Sequence, residues 1–202
     1  MVWSVSAKEA ASESDAVRAG TRRVIEIRLH SRGGQGGVTA AKMLAVAAFL
    51  EGKYSTASSF YGAERRGAPT VSFTRISDHE IRKYSQIRRP DCVIVMDPTV
   101  IDAVDVTEGL KPGGKLLINT ENNIDADKFE DYEVYTVNAT KISLDFDLKV
   151  AGAPVLNVPI VGAVAKMGIV RLDAVRGAIL KMFPNEKNVA AAEVAYKMAA
   201  ML

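Results

Sequence analysis

Two short segments carry residues whose types and spacing could do chemistry. The first is His30-Ser31-Arg32-Gly33-Gly34-Gln35-Gly36-Gly37, which lies between a β-branched run and an alanine-rich run. A helix that starts here offers unpaired N–H groups and a partial positive charge. Glycines let a backbone approach an anion closely and take positive φ. Gly33, Gly34, Gln35, Gly36 and Gly37 are therefore candidate phosphate-binding residues, and Thr39 could add a hydroxyl. A tight structural turn without a ligand is the plain alternative. The second segment is Tyr61-Gly62-Ala63-Glu64-Arg65-Arg66-Gly67-Ala68-Pro69. Arginine forks suit phosphates and carboxylates, so Arg65 and Arg66 are candidates for an anion site or a subunit contact. A solvated basic surface is the alternative. Residues 61–90 hold seven basic and three acidic side chains, an excess of four in a chain of net +2.

Two familiar nucleotide patterns fail. A P-loop needs Lys-Ser/Thr after its last glycine, but Gly37 is followed by Val38 and Thr39, and Lys42 lies inside the next element. The dinucleotide fingerprint needs a third small residue and then an acid at the end of the second strand. Thr39 occupies the third position, and Ala57-Ser58 supplies no acid.

The positioning elements follow from periodicity. Residues 24–29 read as a strand, 38–51 as a helix with an apolar stripe, and 53–57 as a short strand. Residues 58–69 read as a loop. Residues 70–76 alternate like a strand, and Ser77-Asp78-His79 reads as a turn into a paired strand over 80–84. Residues 91–96 and 115–119 are continuously apolar, as strands covered on both faces are; 133–137 is a further strand. Residues 98–109, 139–146, 157–168, 171–183 and 186–201 read as helices. This order predicts an α/β three-layer sandwich with a mostly parallel central sheet and a helical C-terminal portion. Ligands of such sheets sit beyond the C-terminal strand ends. That adds Ser58, Asp97, Asn119, Asn138 and Thr140, although polar residues end strands for turn-making reasons too. His30 either lines the site or is a plain strand-end histidine, and Asn157 is either a site residue or a helix cap.

Composition removes several classes of chemistry. The chain has 202 residues, room for one domain, read here as 21–202 behind a flexible tail at 1–20. One cysteine, Cys92, cannot hold an iron–sulfur cluster, which takes about four thiolates, and it reads as inert core. Two histidines without a second cysteine make a poor zinc site. A net charge of +2 argues against nucleic acid as a partner. The apolar run 43–50 is far short of the ~20 residues a membrane span needs, and residues 151–170 are interrupted by Pro154, Asn157, Pro159 and Lys166. The expected location is cytoplasmic.

The pairing of HSRGGQGG at 30–37 with YGAERRGAP at 61–69, followed by DCVIVMD at 91–97 and by Asn157 with Gly162, resembles the gamma subunit of 2-oxoacid:ferredoxin oxidoreductases. The likeness spans roughly 24–183, and the second loop is closer to the pyruvate type. The resemblance implies a hetero-oligomeric enzyme that oxidatively decarboxylates a 2-oxoacid, pyruvate favoured, to an acyl-CoA while reducing ferredoxin. It implies thiamine diphosphate and iron–sulfur clusters on partner subunits only. For this chain it implies a non-redox role, helping to bind coenzyme A and packing on the catalytic subunits, without activity alone. The residues that inherit this role are Gly33, Gly34, Gln35, Gly36, Gly37, Arg65, Arg66 and Asn157. No residue inherits a role as nucleophile or general base. A purely structural scaffold subunit is the alternative, and a free-standing nucleotide-binding α/β protein is a further one.

Overall fold

The computed structural model of the chain describes residues 2–5, 23–60, 67–122 and 124–202. The elements are β1 (Val2–Val5), β2 (Val24–Arg32), α1 (Gly37–Leu50), β3 (Tyr54–Phe60), β4 (Pro69–Ser77), β5 (Cys92–Val95), β6 (Lys115–Asn119), β7 (Glu133–Val137), α2 (Ala139–Asp145), β8 (Lys149–Val150), β9 (Ala153–Pro154), α3 (Asn157–Lys166), α4 (Leu172–Met182), α5 (Glu186–Met198) and β10 (Ala200–Met201). Single 3-10 turns occur at Pro98–Val100 and Ala126–Phe129.

Eight strands form one sheet in the order β1-β3-β4-β2-β5-β6-β7-β10. Its centre, β2-β5-β6-β7, is parallel. Strands β4, β3 and β1 continue it antiparallel beyond β2, and β10 does so beyond β7. The parallel α/β centre agrees with the strand–helix alternation. β8 and β9 make a separate small hairpin.

The five α-helices of the described residues pack on one face. Ile27, Leu29, Ile94 and Leu117 from the sheet meet Leu44 and Ala48 of α1, Ile160 and Val164 of α3, Ile179 of α4 and Ala195 of α5. On the other face Val93, Val95, Leu116 and Ile118 pack against Val100, Val106 and Leu110. β5 and β6 are thus apolar on both sides, as a doubly covered parallel strand must be.

The second face differs from the sequence expectation. Residues 98–109 form one 3-10 turn followed by irregular chain instead of a helix. Asp97 accepts the Thr99 N–H at 3.0 Å, and Asp105 accepts the Thr107 N–H at 2.9 Å. Such local side-chain bonds favour turns over helix. Gly109, at φ 71°, then closes the segment. The strand expected over 80–84 is irregular chain as well. Arg75 donates to the Lys83 carbonyl at 3.2 Å and to the Ser85 carbonyl at 2.6 Å, taking acceptors that a ladder would use. Arg28, one strand over, does the same to the Val106 and Glu108 carbonyls, at 2.9 and 2.7 Å. Two buried arginines thus peg two irregular segments over one sheet face.

Both chain ends also depart from expectation. Val2–Val5, read as part of a flexible tail, pairs with β3, as its β-formers allow. The final helix stops at Met198, and Ala200–Met201 adds an edge strand to β7.

Candidate functional site

β2 delivers the chain to Arg32, and four residues then reverse it into α1. Gly34 and Gly36 take φ of 97° and 88°, where a side chain is strained. Gly36 is the N-cap of α1 and carries no capping side chain. Ala40 donates to the Gly36 carbonyl at 2.8 Å. The N–H groups of Gly37, Val38 and Thr39 precede the first helical acceptor and meet none among the described residues. Fourteen residues of helix stand behind them, so their partial positive charge is directed at whatever occupies this end.

The loop is braced by its neighbours. Arg32 N–H donates to Gln35 Oε1 at 2.8 Å, Gln35 Nε2 donates to Asp97 Oδ2 at 2.5 Å, and the Gln35 carbonyl accepts the Leu156 N–H at 3.2 Å. The Gln35 side chain is therefore a tie between β2 and β5. The Arg32 guanidinium donates to Thr99 Oγ1 at 2.7 Å and to the Gly67 carbonyl at 3.1 Å, beside Asp97 at 3.6 Å. Burial works against the Asp97 charge, but hydrogen bonds from Thr99 and Gln35 outweigh it and hold the carboxyl below its usual range. Gly37 answers a packing demand as well, because a Cβ there would collide with the Ser31 hydroxyl.

The loop and the start of α1 open onto a cleft of about 530 Å³. Arg32, Gly33, Gly34, Gly36, Gly37, Val38 and Thr39 line one side. The chain from Asp147 through β8 to Val150 lines the cleft too, together with Val155, Asn157, Phe183 and Asn188, and Val155 and Asn157 lie against Gly36. Asn157, only 6% exposed, begins α3. Its Oδ1 accepts the Val158 N–H at 2.8 Å, and its amide nitrogen meets no acceptor among the described residues. A Cβ on Gly36 would lie 3.2 Å from that of Asn157. Five of the candidates from the sequence, Gly33, Gly34, Gly36, Gly37 and Asn157, thus meet at one cleft.

Arg65 and Arg66 lie outside the described residues. The two residues that follow them are tied to the glycine loop: Gly67 N–H donates to the Gly33 carbonyl at 3.1 Å, and the Ala68 carbonyl accepts the Gly33 N–H at 2.9 Å.

Other strand-end candidates serve the fold. Asn119 Oδ1 accepts the Ala139 N–H at 2.9 Å, its Nδ2 donates to the Met96 carbonyl at 2.9 Å, and Asn138 caps α2. His30 faces away from the cleft, toward the pegged segments beside Arg28. Burial first, and Arg28 second, lower its pKa to about 4, and Nε2 has no partner among the described residues. Cys92 is core, and burial pushes its thiol far above the ordinary range. Missing from the sequence reading are the hairpin wall and Phe183. Both reach the cleft only through tertiary packing, and neither carries a motif.

Among the described residues no group of three or more His, Cys, Asp or Glu could hold a metal ion, and no helix is long and apolar enough to cross a membrane.

Comparison with known proteins adds the rest. Residues 26–198 match the family described as pyruvate ferredoxin/flavodoxin oxidoreductase. The pyruvate/ketoisovalerate oxidoreductases common subunit gamma of Thermococcus litoralis is 49% identical over 182 residues, covering 86% of this chain and 96% of the relative. The pyruvate synthase subunit PorC of Methanocaldococcus jannaschii is 50% identical over 178 residues, with the same coverage of 86% and 96%. The crystal structure of pyruvate oxidoreductase subunit PORC from Thermotoga maritima superposes with a TM-score of 0.76 at 33% identity, covering 89% of this chain and 99% of that one. The chain belongs to the pyruvate ferredoxin/flavodoxin oxidoreductase family. Within it, this is a gamma-type subunit of a 2-oxoacid:ferredoxin oxidoreductase, one polypeptide of a multi-subunit enzyme.

Proposed function

We propose that this subunit holds coenzyme A for a complex that converts a 2-oxoacid, pyruvate by preference, to its acyl-CoA and passes the electrons to ferredoxin. The observation that carries the reading is the cleft itself: three N–H groups of α1 and the Asn157 amide, without acceptors among the described residues, converge with the glycine loop on one space of about 530 Å³. Those are donors, and the anionic groups of coenzyme A are acceptors. Among the described lining residues Arg32 and Lys149 contribute positive charge against the carboxylate of Asp147, which pairs with Lys149 at 3.0 Å. Arg65 and Arg66 enter by their sequence position next to Gly67.

Coenzyme A supplies the thiol that accepts the acyl group. This chain's part is to hold and orient it. In general, positioning a reactant this way contributes up to about 7–11 kcal/mol. With one cysteine the chain cannot ligate an iron–sulfur cluster, and in this reading that chemistry and thiamine diphosphate both belong to partner subunits.

The test is Thr39→Asp in the assembled complex. A carboxylate in the first turn favours the helix but repels phosphate. Calorimetry is expected to give coenzyme A binding weakened at least about tenfold, with the subunit still in the complex. A scaffold subunit that touches no ligand predicts unchanged affinity, and that result would overturn the reading.

A further inference from the structure

The cleft has a second chemical character that phosphate binding does not use. The same cleft that holds the amides of α1 is lined by the apolar side chains of Leu148, Val150, Val155 and Phe183. Val150 is 66% exposed at the end of β8, and Phe183 is 37% exposed at the C-terminal cap of α4. Neither is core, and with Leu148 and Val155 they give the cleft the apolar lining that ligand pockets combine with a few polar groups. The hairpin that carries Val150 is shaped for its place. Ala151 at φ 50° and Gly152 at φ 80° make a tight turn with two positive φ angles, and Ser143 Oγ donates to the Val155 carbonyl at 2.9 Å, fastening the strand that leaves it.

We propose that Phe183 and Val150 form the contact for the purine ring of the bound nucleotide end. The inference rests on the coenzyme A reading above and goes beyond it by assigning a place to each part of the ligand. Its charged groups are carried on the ribose of the adenosine, so a phosphate held at the amides of α1 keeps the purine within one sugar of them. The purine is the ligand's one flat apolar group, and an aromatic side chain in the lining of the same cleft suits it. The pantetheine arm is a polar, flexible chain that has to leave the cleft to reach the partner subunit. Lys149 and Asn188 border the wall and supply polar edges.

The experiment uses the intact complex and calorimetric titration with three probes: coenzyme A, adenosine 3′,5′-bisphosphate and pantetheine. Phe183→Ala is expected to weaken coenzyme A and the bisphosphate by about tenfold each, the usual effect of removing one aromatic stacking partner, and to leave pantetheine unchanged. Phe183→Trp is expected to restore binding of the first two. Unchanged bisphosphate binding, or a loss confined to pantetheine, would overturn the assignment. Thr39→Asp separates the two levels. If it weakens coenzyme A while Phe183→Ala does nothing, the purine contact fails and the cradle stands. If neither variant changes coenzyme A binding, the cradle itself has failed.

Discussion

A methyl group on Gly37 would run into the Ser31 hydroxyl, which itself sits 2.8 Å from Thr70 Oγ1. Gly37→Ala is therefore expected to lower stability by about 1–3 kcal/mol, the usual cost of overpacking. Combined with Ser31→Gly it should show a coupling of about 1 kcal/mol or more, because the collision needs both side chains. Urea unfolding of the four proteins of that cycle measures it, and additive effects would show that the glycine is not held by packing. Cys92 offers a second check. Burial raises its thiol pKa, and the thiolate is the reactive form, so a chromogenic disulfide should label it only as the chain unfolds. Rapid labelling of the native subunit would contradict the placement of β5 in the core. At this scale the glycine loop and Asn157 were readable because their residue types match their chemistry. Phe183 was not, because a lone aromatic after a helix says nothing about which cleft it faces.

Helices α3 and α5 approach so closely that a Cβ on Gly162 would meet the Ala192 carbonyl. Ala191, Ala192 and Ala195 provide the small facing surface. Gly162→Ala cannot be relieved by a side-chain rotation, since its obstacle is backbone. It should destabilise the subunit by about 1–3 kcal/mol, read as a lower midpoint at unchanged denaturant dependence. The pegged segments give a second test. The Arg75 guanidinium, its side chain 3% exposed, pairs with Glu26 at 2.9 Å while holding two carbonyls. Arg75→Met should speed hydrogen exchange over 80–87 and cost about 3–5 kcal/mol, as removing one partner of a buried pair does. Strands β2, β5, β6 and β7 and helices α1 to α5 were legible in the sequence because each must bury a periodic or continuous apolar set. Residues 80–84 and 98–109 were not. Their patterns suit a strand and a helix, but distant arginines and local aspartates claim the backbone groups. β8, β9 and β10 have two residues each, too short for any period to register.

Across the whole molecule the two sheet faces are covered by unequal means, helices on one and pegged irregular chain on the other. Acid should find the difference. His30 lies under the irregular layer with its pKa lowered to about 4 from 6.5, by burial and then by Arg28, with Asp105 acting in the opposite direction. The folded state therefore binds this proton less readily than the unfolded chain. Stability is fully present above pH 6.5 and falls as pH drops toward 4, by about 3 kcal/mol at about 1.4 kcal/mol for each pH unit. Asp97 and Asp105 carry lowered values as well, so their contributions persist until pH falls below about 3.8. The window from 6.5 to 4 thus belongs to His30 among the shifted groups. Protonation there places a second cation beside Arg28, whose guanidinium holds the Val106 and Glu108 carbonyls. Opening should begin with residues 78–90 and 98–110, before the helical face responds. Hydrogen exchange at pH 7, 5.5 and 4.5, corrected for the intrinsic rate, is expected to show protection lost first in those two segments and last in α1, α3 and α5. His30→Leu should flatten the dependence between pH 6.5 and 4. Uniform loss over both faces, or an unchanged slope in His30→Leu, would assign the acid sensitivity elsewhere.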